Sequence, residues 1–328
     1  MKKFRVSCSR LRCASARQAV LGILAGVTAL CCVNLRAVTI TEDFASDPSL
    51  NGWSVFGDTN LFQWDSTNHN LAVTWDSSQT NSYFYHPLNT TLAMNDDFSL
   101  EFDLTLQDAS AESFGSELAV GFLRFADATS PAFLRTLGTS PNVAEFDYFP
   151  PSMIDASVDA TLIDSSNNFY FGFNNVTLDP GVSYHIHISH AADQPGLAGE
   201  VFTNGVLYAS LTNTFPSAIG DFQLDTIAVS SYQEDGFGDT ILAHGSLGNV
   251  VVTLPPLARH FGGEFTNDVW QTQFNTYTTA HYALQRSTNL FSWSDATDLV
   301  PGTGGSMTLS DTNVIADKAY YRVRAVQP

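Results

Sequence analysis

Apolar and polar side chains alternate along most of this chain with a period of two. The pattern is clearest over Phe98–Leu106, Glu117–Phe125 and Tyr184–His190. Successive strand residues point to opposite faces, so each run predicts a strand with one buried side. Further strands are predicted at Val38–Phe44, Trp53–Phe56, Leu71–Trp75, Tyr83–Pro87, Val143–Phe149, Phe169–Phe173, Gly199–Thr203, Val206–Leu211, Leu224–Tyr232 and Asn249–Leu254. Asn204 and Gly205, between two of these, suit a two-residue hairpin because both accept positive φ. No stretch after residue 37 sustains helical apolar spacing. Many short strands parted by Asn, Asp, Ser and Gly clusters predict an all-β protein, an antiparallel jelly-roll β-sandwich.

The rhythm stops at Leu254–Leu257, where two prolines interrupt it, and a new set of short strands follows. This places a sandwich domain at 38–254, a linker at 255–264 and a small C-terminal β-sandwich module at 265–328. In the module, Tyr282 with Leu284 and Tyr321 with Val323 alternate so as to supply one buried face.

Residues 1–37 change the compartment. They hold seven basic and no acidic side chains, six of them ahead of an uncharged apolar run from Ala19 to Val33, and small Ala37 suits the position before cleavage. Fifteen residues fall short of the about 20 that cross a bilayer as a helix, so the segment predicts a cleaved signal peptide. The mature chain is then exported to the periplasm, cell surface or medium, with no membrane span. All four cysteines lie in this leader, which excludes disulfides and thiol chemistry from the mature chain. Removing the seven leader charges from the 14 basic residues leaves seven against 33 acidic, a net charge of −26. Such a surface repels nucleic acid and anionic membranes and favours neutral ligands or cations. With 44% hydrophobic and 12% aromatic residues the chain is not disordered.

Within the strand Val143–Phe149, Glu145, Asp147 and Phe149 share one face. Carboxylates at i and i+2 lie about 6–7 Å apart, close enough to share a cation or to bracket a glycosidic bond; a solvated strand face is the plainer alternative. His185 and His187 also share a face, with His190 on the other. Without cysteine or an H-E-x-x-H run they read as sheet histidines packed beside Tyr184 rather than as zinc ligands. Among the aromatic residues, Trp64, Trp75 and Tyr85 are the candidates for stacking against a sugar ring.

The segments Thr41–Phe44, Asp97–Asp103, Ala119–Phe122, Glu145–Asp147 and Leu224–Val229, in that order, resemble the concanavalin A-like jelly-roll superfamily over roughly residues 38–254. That superfamily holds laminarinase-like hydrolases, legume-type lectins and laminin-G-like modules, so fold does not choose between activities. The hydrolase pattern E-x-D-x-x-E implies Glu145 as nucleophile and Asp147 as its helper, but the acid/base position is Pro150. Proline cannot protonate a leaving oxygen, which argues against an enzyme and assigns no catalytic residue. The lectin pattern implies a Ca²⁺ site from Glu145, Asp147, the Phe149 carbonyl and Asp155, although the asparagine expected next is replaced by Pro150 and Pro151. Lyases of this fold use a Tyr/His pair with Arg and Lys; Tyr184 and His185 are present, but the domain has no lysine. Tyr282–Trp293 with Tyr320–Val323 resembles a small fibronectin-like module of exported bacterial proteins, which implies Trp293 as its plug and Asn289 as a turn.

The resemblance therefore implies an exported, non-enzymatic protein that binds a glycan or another cell-surface or matrix ligand, with Ca²⁺ as a possible helper. A polysaccharide-active enzyme using Glu145 and Asp147, or a structural envelope component, are the alternatives.

Overall fold

The computed structural model describes residues 37–111, 117–135, 139–152, 155–211, 215–216, 219–233, 240–313 and 319–327. Apart from Ala37, the expected signal peptide lies outside the described residues. The chain divides into two compact units, one over Ala37–Pro255 and one from Pro256 onward.

The first unit is built from β1 (Ala37–Glu42), β2 (Ser54–Phe56), β3 (Phe62–Asp65), β4 (Asn70–Asp76), β5 (Ser82–Leu92), β6 (Phe98–Ala111), β7 (Leu118–Leu123) and β8 (Val143–Phe149). It continues with β9 (Ser157–Ile163), β10 (Phe169–Phe171), β11 (Ser183–His190), β12 (Leu197–Thr203), β13 (Val206–Leu211), β14 (Phe215–Pro216), β15 (Leu224–Ser231) and β16 (Ile241–Pro256). These form two eight-stranded antiparallel sheets. The first runs β13-β12-β11-β6-β16-β4-β3, with β1 also on β16; the second runs β14-β10-β9-β8-β7-β15-β5-β2. Asn204 and Gly205 make the β12–β13 hairpin with φ of 50° and 72°, a left-handed geometry that asparagine and glycine accept more readily than other residues.

The sheets pack face to face. Phe98 meets Phe122 edge-on at 5.0 Å and Phe102 meets Phe146 at 5.9 Å, each pair joining one sheet to the other. Leu100, Phe102, Ile186, Val201 and Leu247 of the first sheet are fully buried. Along β4, β6 and β11 burial alternates residue by residue, so this sheet has one face in the core and one in water. The second sheet breaks that rule: every residue of β7 and β9, and all of β8 except Phe149, is buried. Its outer face carries a second apolar layer of Tyr83, Ala119, Leu123, Ala128, Phe133, Val143, Ile163, Ala228 and Tyr232. Phe133 and Ala128 come from the connection between β7 and β8, which starts with a short helix, Phe125–Ala128, so the strand expected to reach Phe125 ends at Leu123.

The second unit holds β17 (Arg259–Thr266), β18 (Val269–Asn275), β19 (His281–Ser287), β20 (Ser294–Asp295), β21 (Val300–Pro301), β22 (Ser306–Asp311) and β23 (Tyr320–Val326). One sheet is β17-β18-β22; in the other, β19 pairs with β20, β21 and β23. The stretch 255–264, expected as a linker, is instead largely strand: β16 continues to Pro256 and β17 begins at Arg259. Its glycines do not stop the ladder, because Gly262 and Gly263 pair with Gln273 and Thr272. Tyr282, Leu284, Tyr321 and Val323 are buried as their alternation predicts. Trp293 does not plug this core. Its ring is half-exposed beneath the Arg322 guanidinium, 4.3 Å from the ring centroid, and Trp270, stacked on Tyr321 at 5.0 Å, is buried in the core. Asn289 does turn the chain, its side-chain oxygen accepting the Phe291 and Ser292 N–H groups at 2.9 Å.

Candidate functional site

On the outer face of the second sheet, β8 supplies Glu145 and Asp147 two residues apart. β9 places Thr161 opposite Glu145 and Asp159 opposite Asp147. β7 places Gly121 opposite Glu145, where a Cβ would fall 2.3 Å from the Glu145 Cα, so only glycine permits this approach. Glu117 precedes β7, and Tyr232 follows β15.

The β7–β8 connection then folds back over these acids and lowers Arg135 among them. Its Nη2 donates to Asp147 Oδ2 at 2.8 Å, its Nε binds Glu145 Oε1, and Glu117 Oε1 lies 3.6 Å from Nε. Tyr232 donates its hydroxyl to Glu145 Oε2 at 2.7 Å, and Thr161 donates to Asp147 Oδ2 at 2.6 Å. Asp159 accepts the Gly172 N–H on both oxygens, at 2.9 and 3.0 Å. Arg135 is 6% exposed, Glu145 1% and Asp147 0%.

Three carboxyl groups, of Glu117, Glu145 and Asp147, thus surround one guanidinium away from water, with the Asp159 carboxyl on the neighbouring strand. Burial, and next the Glu145 charge, push the Asp147 carboxyl well above its ordinary range against the pull of Arg135. Its Oδ2 accepts two hydrogen bonds, from Arg135 and Thr161, while Oδ1 has no hydrogen-bond partner among the described residues. Burial raises Asp159 to about 7, opposed by the Gly172 N–H. Arg135 loses hydration, but the surrounding carboxylates outweigh that loss and hold its charge more firmly than usual. Tyr232 is pushed up by burial and then by Glu145, so its hydroxyl keeps its proton.

The predicted residues separate. Glu145, Asp147 and Tyr85 share the outer face of the second sheet. Trp75 is 1% exposed on the core side of β4 and offers no face to a ligand. Trp64 is 37% exposed on edge strand β3, its Nε1 donating to the Phe44 carbonyl at 2.9 Å. Phe149 ends β8 half-exposed, and Asp155 is exposed in the connection to β9, away from the sealed acids. Among the described residues no three His, Cys, Asp or Glu side chains surround a common point as metal ligands do. Glu117, Arg135, Asp159, Thr161 and Tyr232 were not foreseen. The one available signal was charge: Arg124 and Arg135 are the only basic residues between 37 and 255.

Beside the sealed cluster the same face stays partly open. Phe125 lies against Tyr85 with ring centroids 4.4 Å apart, and Phe56 meets Phe125 edge-on at 5.9 Å. Phe56 is 37% exposed, and Tyr85 and Phe125 are half-buried.

No protein-family model and no curated protein matches the chain. Solved structures are similar only distantly. The alginate lyase Aly36B is 8% identical, with a TM-score of 0.39 over 65% of this chain and 96% of its own. Peanut lectin with a 9mer peptide is 12% identical, with a TM-score of 0.39 over 67% and 98%. Domain 4 of AbnA, a GH43 extracellular arabinanase from Geobacillus stearothermophilus in complex with arabinotriose, is 14% identical, with a TM-score of 0.38 over 67% and 94%. At these scores the likenesses carry no function across.

Proposed function

We propose that the chain is an exported, non-enzymatic protein that binds a glycan on the outer face of its second sheet, over Tyr85, Phe125 and Phe56. The observation that supports this most is the sealing of Glu145 and Asp147 beneath Arg135. A glycosidase needs two carboxyl groups in contact with the substrate, and these two are consumed by an internal ion network. What the face offers a ligand is aromatic area, which suits the apolar faces of sugar rings. In this reading Arg135 fills the cation's place beside Glu145 and Asp147, and binding proceeds without Ca²⁺.

Glycan-array and pull-down binding to neutral and acidic polysaccharides tests the proposal. Retention that falls about two- to tenfold in Tyr85→Ala, the scale of one stacking contact, and that is indifferent to millimolar Ca²⁺ is the expected result. Failure to bind any polysaccharide, with or without Ca²⁺, overturns it.

One observation favours a second reading, a polysaccharide-active enzyme. A carboxyl raised to about 7, as at Asp159, is what a general acid requires. Release of sugar fragments that is abolished in Asp159→Asn and Glu145→Gln would establish that reading in place of the first.

A further inference from the structure

The outer face of the first sheet carries a different cluster, which neither the core nor the glycan proposal uses. β11 and β6 set His185 opposite Asp103 and His187 opposite Glu101, and β12 sets Glu200 on the other side of His187. These five side chains face water, because Tyr184, Ile186 and Ile188 take the core positions of the same strand. His185 Nδ1 pairs with Asp103 Oδ1 at 2.9 Å, and Asp103 is itself held by the Asn249 side-chain amide at 2.6 Å. His187 Nδ1 faces Glu200 Oε2 at 3.6 Å. The His185 ring therefore has a carboxylate bonded at Nδ1, the arrangement that orients a metal-binding imidazole and raises its basicity, with Nε2 left for the metal.

On the diagonal, His185 Nε2 lies 3.5 Å from Glu101 Oε2. That is long for a hydrogen bond. It is close to the ~3.3 Å that separates two ligands on one tetrahedral ion with bonds of about 2.0–2.1 Å.

We propose that His185, His187 and Glu101 form a surface site for a divalent transition-metal ion of the zinc type, with Asp103 as a positioning residue. Two imidazoles with one carboxylate select such an ion over Ca²⁺, which prefers oxygen ligands only. Three protein ligands leave a fourth position to water. The three donors do not already enclose one point; closure takes a rotation of His187, whose side chain is 31% exposed and approaches Glu200 no nearer than 3.6 Å. The strands fix the Cβ positions, so side-chain torsions alone complete the site. Within residues 37–255 only two basic side chains oppose the acids that draw a cation to this face.

The test is a Co²⁺ titration of the full chain with its four cysteines alkylated, read by visible absorption and followed by displacement with Zn²⁺. One saturable equivalent is expected. Affinity should fall at least about tenfold in His185→Ala and in His187→Ala, and about ten- to hundredfold in Asp103→Asn, while His244→Ala, on the same face, leaves it unchanged. Absence of saturable absorption overturns the proposal, as does absorption that survives both His185→Ala and His187→Ala.

Discussion

The two sheets of the larger unit end differently on their outer faces. On the first, His185, His187 and His244 meet Asp103, Glu200 and Asp108 with side chains between 31% and 63% exposed. On the second, Arg135 meets Glu117, Glu145 and Asp147 with side chains 0–7% exposed. Both sets join nitrogen bases to carboxylates, imidazoles on the first sheet and a guanidinium on the second. What differs is that the chain between β7 and β8 turns back over its own strands, so the second set is removed from water. Exposed ion pairs contribute about 0–1 kcal/mol, whereas stripping the partner from a buried charge costs about 3–5 kcal/mol. One face is therefore free to exchange partners, and the other is committed.

The sharpest way to break this contrast is Arg135→Met, which leaves the buried acids without a counter-charge. A loss of about 3–5 kcal/mol by urea denaturation is expected, with much of it regained when Glu145→Gln and Asp147→Asn are added. A variant as stable as the parent would show that the cluster is not sealed.

Next is pH. Asp159 is raised from 3.8 to about 7 in the folded protein, so the folded state holds its proton more tightly than the unfolded state does. The cost is absent below pH ~4, where both states are protonated. It grows as pH rises towards about 7 and stays constant above, reaching a few kcal/mol at most. Asp164, by contrast, is held below 3.8: burial pushes it up, but hydrogen bonds from Asn168, Gly220 and Ser166 outweigh that. Its contribution is lost only on acidification below that value. Stability should therefore decline from pH 4 to pH 7, and the decline should be shallower in Asp159→Asn. Equal slopes for the two proteins would remove Asp159 as the cause.

Gly121→Ala should cost roughly 1–3 kcal/mol by overpacking between β7 and β8, read as a lower denaturation midpoint with unchanged slope. At the small end, His244→Ala removes a 2.8 Å contact to exposed Asp108 and should shift stability by no more than about 0.5 kcal/mol. A larger loss would mean that the open face is not open.

The alternating strands of the first sheet were legible because one side is wet: Phe98–Leu106 and Tyr184–His190 announce their inner faces residue by residue. β9 was not. In Ser157–Ile163 the outer positions Ser157, Asp159 and Thr161 look solvent-bound, yet all three are buried under a second layer, and no local pattern reports a cover supplied by another segment. The pairing of Glu145 with Asp147 on one face was legible from parity alone. Their burial was not, since it depends on Arg135 arriving from a segment whose sequence reads as loop. Trp75 failed as a ligand candidate for the converse reason: an aromatic ring on an alternating strand fits the core as well as it fits a sugar.

The cover over the second sheet is also local in sequence. Arg135 reaches Glu145 and Asp147 across only ten and twelve positions, whereas Tyr232 reaches Glu145 across 87. Short loops close at less entropic cost than long ones. The hairpin of β7 and β8 with its overlying turn is thus equipped to assemble as one cooperative unit, before β15 arrives from far along the chain to complete the sheet. In pulse-labelled hydrogen exchange during refolding, the amides of β7 and β8 should gain protection ahead of those of β15 and β5. The last strands would then dock onto a surface whose charges are already neutralised.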